Sequence, residues 1–347
     1  MKKENLCIFV GYTSFYVDFY GTEIAIIKLA TELSKLYNIY IVTLSEDVSH
    51  EFDNNIIYVN YKNLKVDIDI LIISRYINYF IYCCFKPCKK IYLWVHDVTL
   101  IAYYENYIFE NYGKEYLHNF INRIDKIIVL SDWHKNFFQQ YYNIPDNKLL
   151  IIGNGISTID FLPISLNIKQ KNRFIWTSCL TRGIERCISI IQIIHKELPD
   201  TELHIFRDYN LKKEYVESLK DLNYIYFYGK VDNLRIIEEF KKSDFWFYPT
   251  IFSETYCISA LEAQMAGCVS ISTNVASLNT TVGDHGILLS NDLSNEEIAL
   301  EVIKIMKDDE LKNNTRVKGI IWAYNQDWKN ISKKWINLLK YKKYFFF

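Results

Sequence analysis

The sequence predicts an α/β protein of two successive domains, each built around a parallel sheet. Short β-branched and aromatic runs alternate with longer stretches of helical periodicity, the rhythm of βαβ units. Those runs are apolar from end to end, as strands are when helices cover both faces of a sheet. The rhythm breaks over residues 157–171, which include Pro163 and a polar cluster from Asn167 to Asn172, and then begins again. The chain has 347 residues, half of them apolar, enough for two cores at the usual size of about 150 residues per domain.

In the first half, residues 6–10, 39–44, 70–73, 91–95, 126–130 and 149–152 read as strands. Helices are expected at 22–36, near 101–121 and at 132–142. The irregular stretch 157–171 reads as the linker. The second half places strands at 174–178, 203–206, 224–228, 245–248 and 268–272, with helices at 184–197, 211–220, 233–242 and after Tyr256. The last 30 residues read as helical, with Trp322, Trp328 and Trp335 on apolar faces. Two Rossmann-like halves follow from this restart, without a repeat in the sequence itself.

Composition narrows the function classes. The net charge is −1 and the pI about 6.7, so no electrostatic footprint for nucleic acid is present. Lysine pairs at 212–213, 241–242, 333–334 and 342–343 read as solvated helix faces, leaving room only for a peripheral membrane contact. The start, Met1 to Asn5, leads into about five apolar residues before Gly11, too short for a secretory leader. No run reaches the roughly 18 apolar residues of a spanning helix, so a soluble cytoplasmic protein is expected. The eight cysteines lie mostly in apolar runs, as buried free thiols do in a reducing compartment. Cys83, Cys84 and Cys88 lack the spacing and the second ligand pair of a zinc site. Richness in Ile, Asn, Lys and Tyr points to an AT-rich genome and says nothing of chemistry.

Function is most legible in Tyr248-Pro249-Thr250-Ile251-Phe252-Ser253-Glu254-Thr255-Tyr256-Cys257-Ile258-Ser259-Ala260-Leu261-Glu262-Ala263-Gln264-Met265-Ala266-Gly267. Glu254 falls in a loop and Glu262 one turn into a helix, so both carboxylates can line one pocket around that helix's N-terminus. The free amides of Cys257, Ile258 and Ser259 face the same space, and such an end attracts phosphate. Carboxylates for sugar hydroxyls beside amides for a diphosphate describe a nucleotide-sugar site.

Arrangement and residue types resemble the Glu-x7-Glu motif of the retaining glycosyltransferases of family 4, which have the GT-B fold. That resemblance implies two Rossmann-like domains facing across a cleft: residues 1–160 on the acceptor side and 172–326 on the nucleotide-sugar side. It also implies a C-terminal helix, 327–347, crossing back to the first domain. Further elements occur in the family's order. Gly21, in Tyr20-Gly21-Thr22-Glu23, is similar to the glycine-rich start of the first helix, near donor diphosphate and acceptor, and permits close backbone approach. His96, in Trp94-Val95-His96-Asp97, resembles the family's histidine near the transferred sugar. Residues 125–131 and Ile152-Gly153-Asn154-Gly155-Ile156 resemble the next strand ends, with Ser157 where an aspartate is frequent.

Arg182 and Gly183 resemble the family's Lys-Gly pair at the donor diphosphate, and a guanidinium can hold two phosphate oxygens at once. The family's other basic residue, commonly the arginine of a Gly-Arg pair, is here Cys179. Phe206-Arg207-Asp208 replaces a frequent glycine near the base pocket. By resemblance Glu254 contacts the donor sugar and Glu262 the ribose hydroxyls. Tyr256 and Cys257 stand where Phe-Gly is usual, and Cys257 serves through its amide provided the loop requires no positive φ there. Val282-Gly283-Asp284-His285-Gly286 resembles the loop that follows.

The expectation is a metal-independent, retaining hexosyltransferase without cofactor. It would move glucose, best guessed from a UDP-sugar, to a carbohydrate, lipid or small-molecule acceptor. Asp67-Ile68-Asp69 mimics the metal-binding Asp-x-Asp of another glycosyltransferase fold but lies at a strand entrance in an all-parallel context. Two rival classes stay open. One is a catalytically weak member serving as a binding or scaffold subunit, motivated by Cys179, Ser157 and the 206–208 loop. The other is a sugar-nucleotide epimerase or a phosphorylase of similar fold, the latter without a lysine motif suited to a pyridoxal cofactor. Oligomeric state is not legible.

Overall fold

The computed structural model describes residues 3–11, 21–45, 49–52, 56–77, 79–82, 88–101, 117–207, 215, 217 and 219–340. Tyr20, Cys83, Cys84, Asp208, most of the helix expected near 101–121, much of that at 211–220, and residues 341–347 lie outside them. The chain divides into two compact units, Met1–Gly155 with Trp328–Phe347, and Ile156–Asp327.

Among the described residues the first unit holds eight strands: β1 (Asn5–Phe9), β2 (Asn38–Thr43), β3 (Ser49–Phe52), β4 (Ile56–Asn60), β5 (Ile70–Ser74), β6 (Lys90–Trp94), β7 (Lys126–Val129) and β8 (Leu149–Ile151). Their order across the sheet is β3-β4-β2-β1-β5-β6-β7-β8. Strand β1 is central because Leu6, Cys7, Ile8 and Phe9 are fully buried and can be covered from both faces. Seven strands are parallel, but β3 runs antiparallel to β4, Ser49 opposite Val59. This corrects the all-parallel expectation. Only residues 53–55 separate Phe52 from Ile56, far short of the dozen or so residues a parallel crossover needs. Helix α1 (Gly21–Leu33) turns Ala25, Ile26, Leu29, Ala30 and Leu33 inward. Helix α2 (Asp132–Tyr142) is capped by the Ser131 side chain, which accepts from the His134 amide.

The second unit has six strands, all parallel: β9 (Gln170–Trp176), β10 (Glu202–Ile205), β11 (Ile225–Phe227), β12 (Ser243–Tyr248), β13 (Val269–Thr273) and β14 (Ile287–Leu289), in the order β11-β10-β9-β12-β13-β14. Strands β3, β4 and β14 are additions to the sequence reading, each five residues or fewer. Helix α3 (Ile184–Glu197) buries Ile184, Cys187, Ile188, Ile191 and Ile194, the i, i+3, i+4 stripe of an amphipathic helix. Helices α4 (Asn233–Lys242), α5 (Ile258–Met265), α6 (Asn295–Lys307) and α7 (Asp309–Asn325) also lie in this unit. Helix α6 begins with a capping box between Ser294 and Glu297, which satisfies two otherwise orphaned amides. Two buried ion pairs, Arg173 with Glu239 and Arg316 with Asp244, tie strand starts to helices.

Residues 157–171, read as a linker, belong to the second unit. Thr158 is held to the Asp327 carboxylate through its amide at 3.1 Å and its hydroxyl at 2.6 Å. Lys169 threads its ammonium to the carbonyls of Phe240 and Ser243 at 3.0 and 2.7 Å. The unit boundaries thus fall at Gly155 and Asp327. Helix α8 (Trp328–Lys340) packs against α1 in the first unit. Its buried Trp328, Ile331, Trp335 and Leu339 share one face, and the Trp335 ring meets Trp94 edge-on at 5.1 Å. The Leu339 carbonyl accepts from the Lys90 ammonium and the Leu338 carbonyl from the Tyr92 hydroxyl at 3.4 Å.

Trp335 is 0 % exposed, so Trp335→Ala is expected to destabilise the first unit by about 3–5 kcal/mol, the usual cost of a large-to-small change in a core. Urea unfolding followed by circular dichroism checks this, the first unit melting earlier than in the wild type.

Candidate active site

In the second unit the strand order reverses between β9 and β12, and open parallel sheets bind ligands outside the carboxyl ends of such a pair. The loop after β9 carries Arg182, and the loop after β12 carries Glu254. The two loops are fastened together. The Thr250 hydroxyl donates to the Arg182 carbonyl at 2.6 Å and accepts from the Phe252 amide at 2.9 Å. The Thr250 carbonyl in turn accepts from the Thr273 hydroxyl. Gly183 links Arg182 to α3 with φ of 113°, a conformation that side chains resist. A Cβ there would meet Thr250 Cα at only 3.6 Å, an ordinary contact, so backbone conformation rather than space calls for glycine.

The Glu254 carboxylate is 5 % exposed and would be costly to bury alone. Its Oε1 accepts from Arg182 Nη1 at 2.8 Å and from the Tyr248 hydroxyl at 2.6 Å. Oε2 has no hydrogen bond among the described residues and is the oxygen left for a ligand. The Arg182 guanidinium lies over the Phe252 ring, 4.3 Å from its centroid. It is thereby oriented between a carboxylate and an aromatic face, ready for a second anion.

Helix α5 starts at Ile258, half-buried, and its first amides lack intrahelical acceptors. Cys257 precedes it with φ of 68°, so the loop does require a positive φ, contrary to the condition set from sequence. Its thiol is buried and approaches the Ser259 hydroxyl at 3.4 Å. The Tyr256 ring is buried too, and burial pushes its phenol upward. Glu262 is half-buried, and among the described residues it has neither an ion pair nor a hydrogen bond. Burial raises its carboxyl to about 7. An acid poised in this way can accept or donate a hydrogen bond to a vicinal diol near neutral pH.

Gly21 and His96 belong to the first unit. Gly21 is the first residue of α1 and is exposed. His96 follows β6, buried and tilted against Trp94 at 4.4 Å. Burial lowers its pKa to about 3, so the ring is neutral under ordinary conditions. Nearby, Arg75 donates to the Asp97 carboxylate at 3.0 Å and lies 3.9 Å from Glu23, which opens α1. Arg75 has φ of 69°. His134 Nδ1 accepts from the Leu130 amide at 3.3 Å, which leaves Nε2–H to donate to the Asp97 carbonyl at 3.0 Å.

The Asp67 and Asp69 pair is occupied structurally. Asp69 accepts from the Asn5 amide at 3.0 Å and from Lys89 at 2.7 Å, and the Asp67 carbonyl accepts from Asn5 Nδ2 at 2.9 Å. Among the described residues no group of three or more His, Cys, Asp or Glu is placed to hold a metal ion. No helix of the described residues is long and apolar enough to cross a membrane. The six described cysteines form no disulfide.

Comparison with known proteins agrees with this architecture. The family described as "Glycosyl transferases group 1" matches residues 158–322, and "Glycosyltransferase Family 4" matches residues 61–159. The chain is a GT-B glycosyltransferase of the family 4 kind. It is 26 % identical to the glycosyltransferase MJ1069 of Methanocaldococcus jannaschii, over 99 % of each chain. Among solved structures it is similar to sucrose-phosphate synthase from Thermosynechococcus elongatus, with a TM-score of 0.77 and 14 % identity, covering 97 % of this chain and 98 % of that one. It is likewise similar to Anabaena Alr3699/HepE in complex with UDP and glucose, with a TM-score of 0.70 and 14 % identity over 97 % and 99 %.

Sequence reading of this glycosyltransferase missed Tyr248 and Arg75. Tyr248 closes an apolar strand and is buried, so nothing marks its hydroxyl as the second donor to Glu254. Arg75 stands directly after Ser74, the last residue of β5, and a charged residue at such a strand end is the available signal.

Two outcomes follow from the site. Ionised Glu262 is disfavoured by folding, so its share of stability is present below the unfolded carboxyl range and is lost as pH rises toward 7. Glu262→Gln should therefore be more stable than wild type at pH 8, by on the order of 1–3 kcal/mol, and level with it at pH 4; denaturant melts at both pH values read this. Cys257→Gly should be more stable than Cys257→Ala by about 1 kcal/mol, since both lose the thiol and only alanine keeps the positive-φ strain; paired thermal melts compare the two.

Proposed function

We propose that this glycosyltransferase transfers a hexose, glucose by preference, from a UDP-sugar to a carbohydrate, lipid or small-molecule acceptor, with retention of anomeric configuration and without a metal. The observation that carries the reading is the buried Glu254 carboxylate, hydrogen-bonded by Arg182 and Tyr248 and four residues before the start of α5. HepE, whose complex contains UDP and glucose, supports the choice of donor.

In this reading the donor diphosphate lies against the α5 amides and Arg182, and its sugar lies at Glu254. As the bond from the anomeric carbon to the diphosphate lengthens, the sugar ring gains positive charge and the leaving oxygen negative charge. Glu254 faces the first, and Arg182 with the helix dipole faces the second. Fixed groups of this sort need no reorganisation at the moment of reaction. Glu262 holds the ribose diol. His96, in the first unit, is neutral and buried and would act as a hydrogen-bonding group rather than as a cation.

Glu254→Gln keeps the shape and removes the charge, so transfer should fall by at least about a hundredfold, the scale on which lost electrostatic stabilisation acts, with an unchanged circular dichroism spectrum. Radiolabelled UDP-glucose with an acceptor panel, assayed with and without chelator, measures this, and product NMR gives the anomer. Near-normal turnover of the variant removes Glu254 from the reaction. Donor binding by the wild type without transfer to any acceptor turns the reading to a binding subunit.

A further inference from the structure

The diphosphate of a nucleotide sugar carries more charge than one guanidinium and one helix end neutralise. Cys179 stands where the resemblance implies a second basic residue, and its uncharged thiol holds the Thr181 hydroxyl at 3.2 Å. The neighbouring strand brings another cation to the same place. Strands β9 and β10 are parallel with Ile205 beside Trp176, and the Phe206 amide donates to the Trp176 carbonyl at 2.9 Å. Beyond that register Arg207 is the second residue after β10, as Ser178, next to Cys179, is the second after β9. It stands at the carboxyl end of the sheet, on the side from which Arg182 emerges.

We propose that Arg207 supplies the second cationic contact to the donor diphosphate, from the neighbouring strand, in place of the basic residue that Cys179 displaces. The inference rests on the nucleotide-sugar reading above. It gives a half-buried arginine at the strand end a role that no sequence motif marks. The thiol itself registers the arrangement: burial raises its pKa, but the Thr181 hydrogen bonds and the positive charges of Arg182 and Arg207 more than offset this and hold it below the usual value. Both guanidinium groups therefore act on one point in the loop. A phosphate there would take a fork of hydrogen bonds from each side, one from the loop after β9 and one from the end of β10.

Calorimetric titration of the full chain with UDP, UMP and uridine tests this, using wild type, Arg207→Ala, Arg207→Lys, and Arg207→Ala combined with Cys179→Arg. Arg207→Ala should lose roughly tenfold or more in UDP affinity, the range for a charged hydrogen bond, and much less for uridine. Arg207→Lys should retain part of the affinity, and Cys179→Arg should restore UDP binding to the alanine variant, which a merely structural role would not allow. Unchanged UDP affinity in Arg207→Ala, or equal losses for UDP and uridine, would overturn the inference and leave the nucleotide-sugar reading standing. A wild type that binds none of UDP, GDP and ADP ends both together.

Discussion

The site in the second unit depends on one constraint, the reversal of strand order between β9 and β12. Two strands that are neighbours in the sheet but far apart in sequence send their outgoing loops in opposite directions, which leaves a gap at their carboxyl ends. Arg182 and Glu254 are 72 residues apart, yet they meet at 2.8 Å across that gap. Thr250 fastens one loop to the other through the Arg182 carbonyl. Without that fastening the two charges would have no reason to coincide. With it, a carboxylate that would be costly to bury alone has one oxygen shared by an arginine and a phenol.

The same loops hold backbone strain. Gly183 and Cys257 both have positive φ, at 113° and 68°, and each directly precedes a helix. A left-handed residue turns the chain sharply, so the helix starts facing back toward the strand end it has just left. Glycine does this without strain, whereas Cys257 carries a cost of order 1–3 kcal/mol. The buried surroundings of its thiol and the packing of Tyr256 keep the loop in place. That geometry starts α5 directly after the buried Cys257.

Much of this was legible in the sequence, for physical reasons. Parallel strands buried on both faces cannot hide their uniform apolarity, and loops that meet a ligand keep their charged residues in view. Glu254 and Glu262 were read from their spacing around a helix start and Arg182 from its resemblance to the family's Lys-Gly lysine, and the structure brings Arg182 and Glu254 together. Short edge strands such as β3 and β14 carry too few residues to show a period. Tyr248 was invisible because its hydroxyl is needed only once Glu254 has folded back over it. The positive φ of Cys257 and of Arg75 belongs to the loop as a whole and not to either residue type. The stretch 157–171 was read as the linker from its polarity, yet it belongs to the second unit. Lys169 in it is half-buried, with the ammonium spent on two backbone carbonyls.

Each unit places an arginine beside carboxylates at the carboxyl ends of its strands, but the balance differs. In the first unit Arg75 stands between two acids, Asp97 and Glu23, so the trio is net negative. A phosphate brought there meets repulsion, whereas a hydroxyl can donate to either carboxylate without loss of charge balance. In the second unit Arg182 faces one carboxylate, Glu254, with the positive end of α5 following in the chain, while burial favours the neutral form of Glu262. There the balance favours an anion. The two sheets thus repeat one topological solution with a different balance of charge around the arginine.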